Sequence, residues 1–450
     1  MRPPPLARLL ATRLPVHYAW VVLGCICLAG FARQGPAVAV LSVFVTPMTE
    51  AFGWSRTEIS GAVSLGGLAA AIVSPLLGPV LDRRGARALL CFAVLGSGLA
   101  AIALSFTQSL AMFYLLFVFA RMLWAGPFDL GLYGAVTNWF LARRAFANAV
   151  ATLAQMAGLV ALPLIAQVAM REGGWPAGWR AIGLVVLAVG FLPAFLLLVR
   201  RPEDLGLAPE RPAGDAAAAT VEPRFSRAQA LRTRAFWLLG LYTVLVFPVQ
   251  AGVSLHQAPH LIERGLSPFA AASVISAFSA FSALASFALG FLPRRWPLRF
   301  ALAAAAALLC LGALALPGVR DATGAMLAAG LFGLGIGGVL TLLPLAWAEY
   351  FGRESYGAIR GLALSMQVLA QAVGPVVSGV LRDVSGDYTL SLLLFAALSG
   401  LAAAAAFAAT RPAPIEAGAP AFGPPGAGSG GEAGPGLRSH QERDGSGGRI

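Results

Sequence analysis

The residues Gly78-Pro79-Val80-Leu81-Asp82-Arg83-Arg84-Gly85-Ala86-Arg87 make a short charged turn wedged between two apolar segments, each too long and too uncharged for an ordinary soluble helix. Such a turn suits a tight loop between two membrane spans. Asp82 and Arg83 can pair with each other or with exposed helix ends, Gly85 permits a turn conformation barred to other residues, and Gly78 lets a neighbouring helix come close. Outward from this turn, long apolar stretches and short charged turns alternate along most of the chain. Of 450 residues, 58% are hydrophobic and only 12% charged, against about a quarter charged in a soluble globule. The chain is therefore built for a bilayer.

At about 20 residues per crossing, spans fall near 18–47, 57–80, 88–106, 109–138, 145–169 and 178–200, and again near 235–260, 268–292, 298–318, 322–347, 357–380 and 388–410. The expected fold is an all-α membrane protein of twelve transmembrane helices in two six-helix bundles. Its parts are an N-terminal segment (1–17), a first bundle (18–200), a polar linker (201–234), a second bundle (235–410) and a tail (411–450) with nothing to bury, expected to be disordered.

All 32 basic residues are arginine. The side holding the N-terminus collects 24, including Arg83, Arg84, Arg87, Arg143, Arg144, Arg294, Arg295, Arg353, Arg360 and four in the tail; the other side holds six. The positive-inside rule then places both termini in the cytoplasm of a multi-pass protein of the plasma membrane, or of the inner membrane in a bacterium. The net charge of +12 reads as this orientation signal and not as a nucleic-acid surface. Cys25, Cys27, Cys91 and Cys310 lie in apolar segments without metal-ligand spacing and read as packing residues. A chain without lysine has no P-loop lysine, and no nucleophile, base and orienter stand together, so neither ATP-driven transport nor an enzyme is expected, and no cofactor or metal.

The halves repeat at an offset of 212: Gly53 meets Gly265, Ser55 meets Ser267, Gly78 meets Gly290, Arg83 meets Arg295, Gln155 meets Gln367 and Pro163 meets Pro375. Many transporters are duplicated in this way. Asp82 meets Arg294, so the acid of the turn belongs to the first half alone.

With these residues in view, the turn at 78–87 resembles the loop between the second and third spans of the major facilitator superfamily, G-x-x-x-D-R-x-G-x-[RK], matched in place by Gly78, Asp82, Arg83, Gly85 and Arg87. A narrower likeness, to monocarboxylate porters and oxalate/formate antiporters, is carried by His17 to Val22, Phe52 to Ser60, Trp139 to Arg144, Gly178 to Arg180, Arg200 to Leu207 and His256 to Leu261. The resemblance implies two pseudo-symmetric bundles rocking about a cavity lined by spans one, four, seven and ten. It also implies secondary active transport by alternating access, with the 78–87 loop as a latch on the cytoplasmic face. The expected cargo is a small organic anion, a carboxylate, moved with protons as symport or antiport by a monomer in the lipid bilayer. Two departures stand out: 268–292 and 361–380 carry no charge where such carriers use one, and span five opens R-A-F-A-N-A-V in place of a glycine-rich run.

An ionised side chain at mid-membrane costs roughly 2.5–3.5 kcal/mol on insertion scales, so it persists where it meets water, a partner or a ligand. Arg33, midway along span one with Gln34 beside it, is the leading candidate to grip an anion through its planar fork; the plainer reading is an arginine bonded to carbonyls freed near Pro36. Arg121 and Asp129 share span four, roughly 12 Å apart along the axis and about 80° around it, so each reaches elsewhere, with Asp129 a candidate counter-ion for Arg33. His256 is a candidate proton carrier. Gln250, Gln367 and Gln371 are candidate ligands or interhelical glue, and Tyr133, Trp124 and Trp347 candidate cavity aromatics. The competing function is export of neutral or cationic drug-like compounds using Asp129 and those aromatics. A third, a non-transporting sensor, lacks a foldable soluble domain.

Overall fold

The computed structural model describes residues 3–210, 223–291 and 296–413. The middle of the linker, the loop with Arg294 and Arg295, and the tail beyond 413 lie outside the described residues, together with the expectations placed on them.

Helices run in chain order α1 (Pro5–Arg13), α2 (Ala19–Arg33), α3 (Val38–Phe52), α4 (Arg56–Arg84), α5 (Ala86–Leu104), α6 (Leu110–Ala125), α7 (Pro127–Trp139), α8 (Arg144–Val186) and α9 (Leu192–Leu197). The second half supplies α10 (Arg227–Leu231), α11 (Arg234–Glu263), α12 (Pro268–Leu289), α13 (Leu298–Ala315), α14 (Ala322–Phe351), α15 (Tyr356–Ser385) and α16 (Thr389–Ala408). Ten helical segments are long and apolar enough to cross a membrane. One of them, Arg144–Leu197, leaves helical geometry at Gly173 and Gly174 and so crosses twice. The shorter α2 and α3 together make one more crossing, which gives twelve among the described residues. Ile72, Leu115 and Phe269 are 72%, 73% and 84% exposed, apolar surface that only hydrocarbon would cover at little cost.

Helix ends follow local chemistry. Ser55 and Glu58 form a reciprocal capping box at the start of α4, and Gly53 ends α3 in a left-handed turn at φ 72°. At the equivalent junction of the second half Gly265 has φ 93° and Ser267 caps α12 by accepting from the Ala270 N–H. The repeat of Gly53-x-Ser55 as Gly265-x-Ser267 is thus one turn built twice.

Two crossings are broken, both near mid-chain of the span. Between α2 and α3 the chain unwinds over Gln34 to Ala37, where Pro36 offers no N–H and Ala37 is extended (φ −69°, ψ 154°). Between α6 and α7 the break is Gly126 (φ −105°, ψ −85°) followed by Pro127. Aromatic stacking steadies the second piece of the first crossing: Phe44 of α3 lies on Trp179 with ring centroids 4.0 Å apart.

The halves meet most closely where α4 crosses α15. A Cβ on Gly78 would collide with the Gly357 carbonyl, one on Gly361 would lie 2.6 Å from the Ser74 carbonyl oxygen, and Ser365 donates to the Ala71 carbonyl. Small residues let the two backbones touch. The pseudo-equivalent contact is looser: Gly290, beyond the end of α12, sits against Ala149 and Phe146 of α8.

Candidate functional site

Arg33 is the last residue of α2, so the break at Gln34 aims its side chain into the protein, where it is 7% exposed. Nε donates to the Trp124 carbonyl at 3.0 Å, a carbonyl left at the end of α6 by the Gly126 break. Nη1 donates to Gln155 Oε1 at 2.7 Å and Nη2 to Asp129 Oδ2 at 3.4 Å. Asp129 stands in the first turn of α7, where the helix N-terminus favours negative charge. Its other oxygen, Oδ1, accepts from Arg360 Nη2 at 3.0 Å. The pairing of Arg33 with Asp129 matches the expected counter-ion; Arg360, in the opposite half, was not expected.

Counting Arg360 with the loop arginines is therefore corrected. It lies one turn inside α15, which starts at Tyr356, and is 2% exposed. The eleventh span does carry a charge, just before the stretch 361–380. A signal for it existed: Arg360, Gln367 and Gln371 recur at i, i+7 and i+11, one face of a helix. Arg360 Nη2 also donates to Gln367 Oε1 at 2.9 Å, while Nε and Nη1 are buried without a partner. The amides form another repeat: Gln155 holds Arg33 and Gln367 holds Arg360, at the offset of 212.

Arg121 completes the cluster. Its guanidinium lies 3.7 Å from the centroid of Trp124, whose ring also carries Arg33 at 4.6 Å. Arg121 Nη1 reaches the freed Pro36 carbonyl at 3.5 Å, and Gln34 accepts from Trp124 Nε1 at 3.4 Å. Tyr133 is buried one turn beyond Asp129. Thus Arg33, Gln34, Arg121, Asp129, Tyr133 and Gln367 gather at the two broken spans, with Gln155 and Arg360 added. Two guanidiniums there hold one carboxylate, and a third, that of Arg121, lies beside them on Trp124. Gln250, Gln371 and His256 form a separate group: Gln371 donates to Gln250 at 3.0 Å, and His256 Nε2 is 3.1 Å from the Pro375 carbonyl.

On the arginine-rich face Asp82 reaches across the halves, its two oxygens accepting from the Gly357 and Ala358 N–H groups at 2.7 and 2.8 Å. It caps α15, satisfying donors that a helix start leaves open. Gly85 (φ 80°) closes against Arg200, and Arg87 donates to the Phe195 carbonyl at 2.8 Å. Arg83 is exposed, and its carbonyl accepts from Arg200 at 3.3 Å. Arg353 spans the halves too, donating to the Asn138 carbonyl at 3.4 Å as well as to Glu203 of the linker at 2.7 Å, and Arg144 stands 3.8 Å from Glu349. This face is shut.

The sequence profile of the Major Facilitator Superfamily matches residues 22–375 and 263–433. The chain belongs to the major facilitator superfamily. This superfamily member is 28% identical to monocarboxylate transporter 11 of mouse over 393 residues, 84% of each chain, and 28% identical to its human counterpart over 397 residues, 85% of this chain and 80% of that one. Rat monocarboxylate transporter 4 is 25% identical over 402 residues, 84% of this chain and 80% of the relative. The likeness to these monocarboxylate transporters runs through four-fifths or more of each chain. Among solved structures, the proton:xylose symporter XylE superposes with a TM-score of 0.70 at 14% identity, covering 86% of this chain and 94% of that one. The human organic anion transporter MFSD10 (TETRAN) superposes at 0.65 and 18% identity, covering 90% and 100%. At such identities the superpositions speak for the fold alone. The protein is a multi-pass membrane carrier, a secondary transporter and not an enzyme.

Proposed function

We propose that this superfamily member carries a small organic anion, a carboxylate, by alternating access, with proton symport or antiport as the coupling. The observation that carries the reading is the cluster in which the buried Arg33 and Arg360 share the carboxylate of Asp129 while the half-buried Arg121 stacks beside them on Trp124, three cations to one anion among the described residues. In an apolar interior that excess of positive charge calls for an anion from outside. Arg33, Arg121, Asp129, Gln155, Arg360 and Gln367 form the proposed site, Gln34 and Tyr133 its edge. The similarity to monocarboxylate transporters supports the same class. Export of neutral or cationic compounds is the poorer reading, because the charge of Asp129 is already balanced by two guanidiniums.

The arginine-rich face is the proposed cytoplasmic side, which makes the described conformation closed to the cytoplasm and Asp82 the latch, backed by Gly78, Arg83, Gly85 and Arg87. Uptake of labelled acetate, pyruvate and L-lactate into proteoliposomes, with and without an imposed pH gradient, tests the reading. Wild type should accumulate at least one acid, and Arg33→Ala should lose at least about tenfold of that rate, the equivalent of roughly 1.4 kcal/mol. Equal rates in the two would remove Arg33 from the site, and a rate indifferent to the pH gradient would remove proton coupling.

A further inference from the structure

A guanidinium offers a carboxylate two flat edges, Nε with Nη2 and Nη1 with Nη2. Both edges run through Nη2. In Arg360 that nitrogen is already taken, by Asp129 Oδ1 at 3.0 Å and Gln367 Oε1 at 2.9 Å, while Nε and Nη1, each the other half of an edge, are buried with no partner. Arg360 is thus an anion site half occupied by the protein's own groups. A buried guanidinium with unpartnered N–H groups costs stability, and a binding site is one reason to keep it.

We infer that Arg360 is an anion-binding residue whose resident ligand is Asp129, and that an incoming carboxylate grips one edge of Arg360 by displacing Asp129, parting the ion pair that joins the two halves. This rests on the anion-carrier reading above. An anion entering on the Gln367 side instead would share Nη2 with the Asp129 carboxylate, and like charges in a buried site repel strongly. Asp129 is the group that yields, because it has a second partner to fall back on: Arg33 Nη2 lies 3.4 Å from Oδ2 and belongs to the same half. The displaced acid stays neutralised, and Arg360 exchanges an internal carboxylate for an external one. In the empty carrier the Asp129–Arg360 pair adds to the Asp82 cap in holding α15 against the first half; in the loaded carrier it is gone. Occupancy of the site and release of the shut face become one event.

Hydrogen exchange of the full-length protein in lipid nanodiscs, followed on a peptide covering residues 352–364, tests this. The Gly357 and Ala358 amides in that peptide are held by Asp82, so their exchange reports opening of the face. Without added acid, Asp129→Asn and Arg360→Gln should each speed exchange at least about tenfold, while Asp129→Glu, which keeps the charge, stays close to wild type. Of acetate, pyruvate and L-lactate, at least one should speed exchange in wild type and bind Asp129→Asn at least about tenfold more tightly, the resident competitor being absent. Wild-type exchange that none of the three acids moves would overturn the displacement, as would wild-type protection in both neutralised variants; if Asp129→Asn does not fold, Arg360→Gln carries the first arm alone. Should Arg33→Ala lose uptake while exchange never changes, the carrier reading stands and the displacement falls. Should no acid be transported at all, both fall.

Discussion

Arg33 and Arg360 differ in how much of each guanidinium the protein uses. Arg33 has all three nitrogens engaged, by a carbonyl, an amide and a carboxylate, and so behaves as the fixed wall of the site. Arg360 spends one nitrogen of three. Replacing Arg360 by lysine keeps the charge but removes the planar fork; carboxylate uptake should fall at least about tenfold, with the thermal midpoint of the purified protein close to wild type. If uptake is unchanged, charge alone suffices and the two-edge argument fails. Gln155→Leu poses the opposite question, since it leaves Arg33 Nη1 buried and unpaired. That should cost about 1–3 kcal/mol, read as a lowered thermal midpoint, and a midpoint equal to wild type would show that water replaces the amide.

Among the elements, the α4–α15 crossing bears most directly on mechanism. Asp82→Ala removes the cap from α15, a loss of about 1 kcal/mol for a helix N-terminus. Transport by Asp82→Ala should slow with little loss of folded protein, and unaltered transport would rule the latch out. Gly78→Val places a branched side chain where the Gly357 carbonyl now lies, so it should drive the carrier away from the described conformation. A cysteine pair at Ala71 and Ser365, cross-linked readily in the parent, should cross-link poorly when Gly78→Val is added; undiminished cross-linking would show that the crossing tolerates bulk. These elements also show what the sequence makes legible. The turn at 78–87 and the paired Gly53-x-Ser55 and Gly265-x-Ser267 corners are local chemistry and are read directly. The breaks at Gln34 to Ala37 and at Gly126 are visible only as prolines in apolar runs, because whether a proline kinks or interrupts a span depends on what donates to the freed carbonyls. Here the donors are partners distant in sequence, Arg33 to the Trp124 carbonyl and Arg121 to the Pro36 carbonyl. Arg360 was missed for a related reason: an arginine one turn inside a span looks like a loop arginine until the facing helix supplies an acid.

For the whole molecule, the duplication assigns different jobs to equivalent positions. Gln155 and Gln367 keep the same task in both halves, whereas Gly78 seals tightly against α15 and its counterpart Gly290 meets α8 more loosely. Orientation is testable at this scale. A glycosylation or cysteine-labelling tag at Gly318 should report the outside of the cell and one at Gly206 the inside; the reverse result would invert the proposed topology. The tight seam has a consequence for energy conservation. Ala71 with Ser365, Ser74 with Gly361 and Gly78 with Gly357 succeed one another at helical intervals, each a contact of main chain or a single hydroxyl. Among the described residues these rungs are backbone and one hydroxyl, with no side chain to swing aside, so the crossing parts only when the helices themselves move. Passage along this crossing therefore requires a whole helix to shift, which ties any spending of the driving gradient there to a turnover of the carrier.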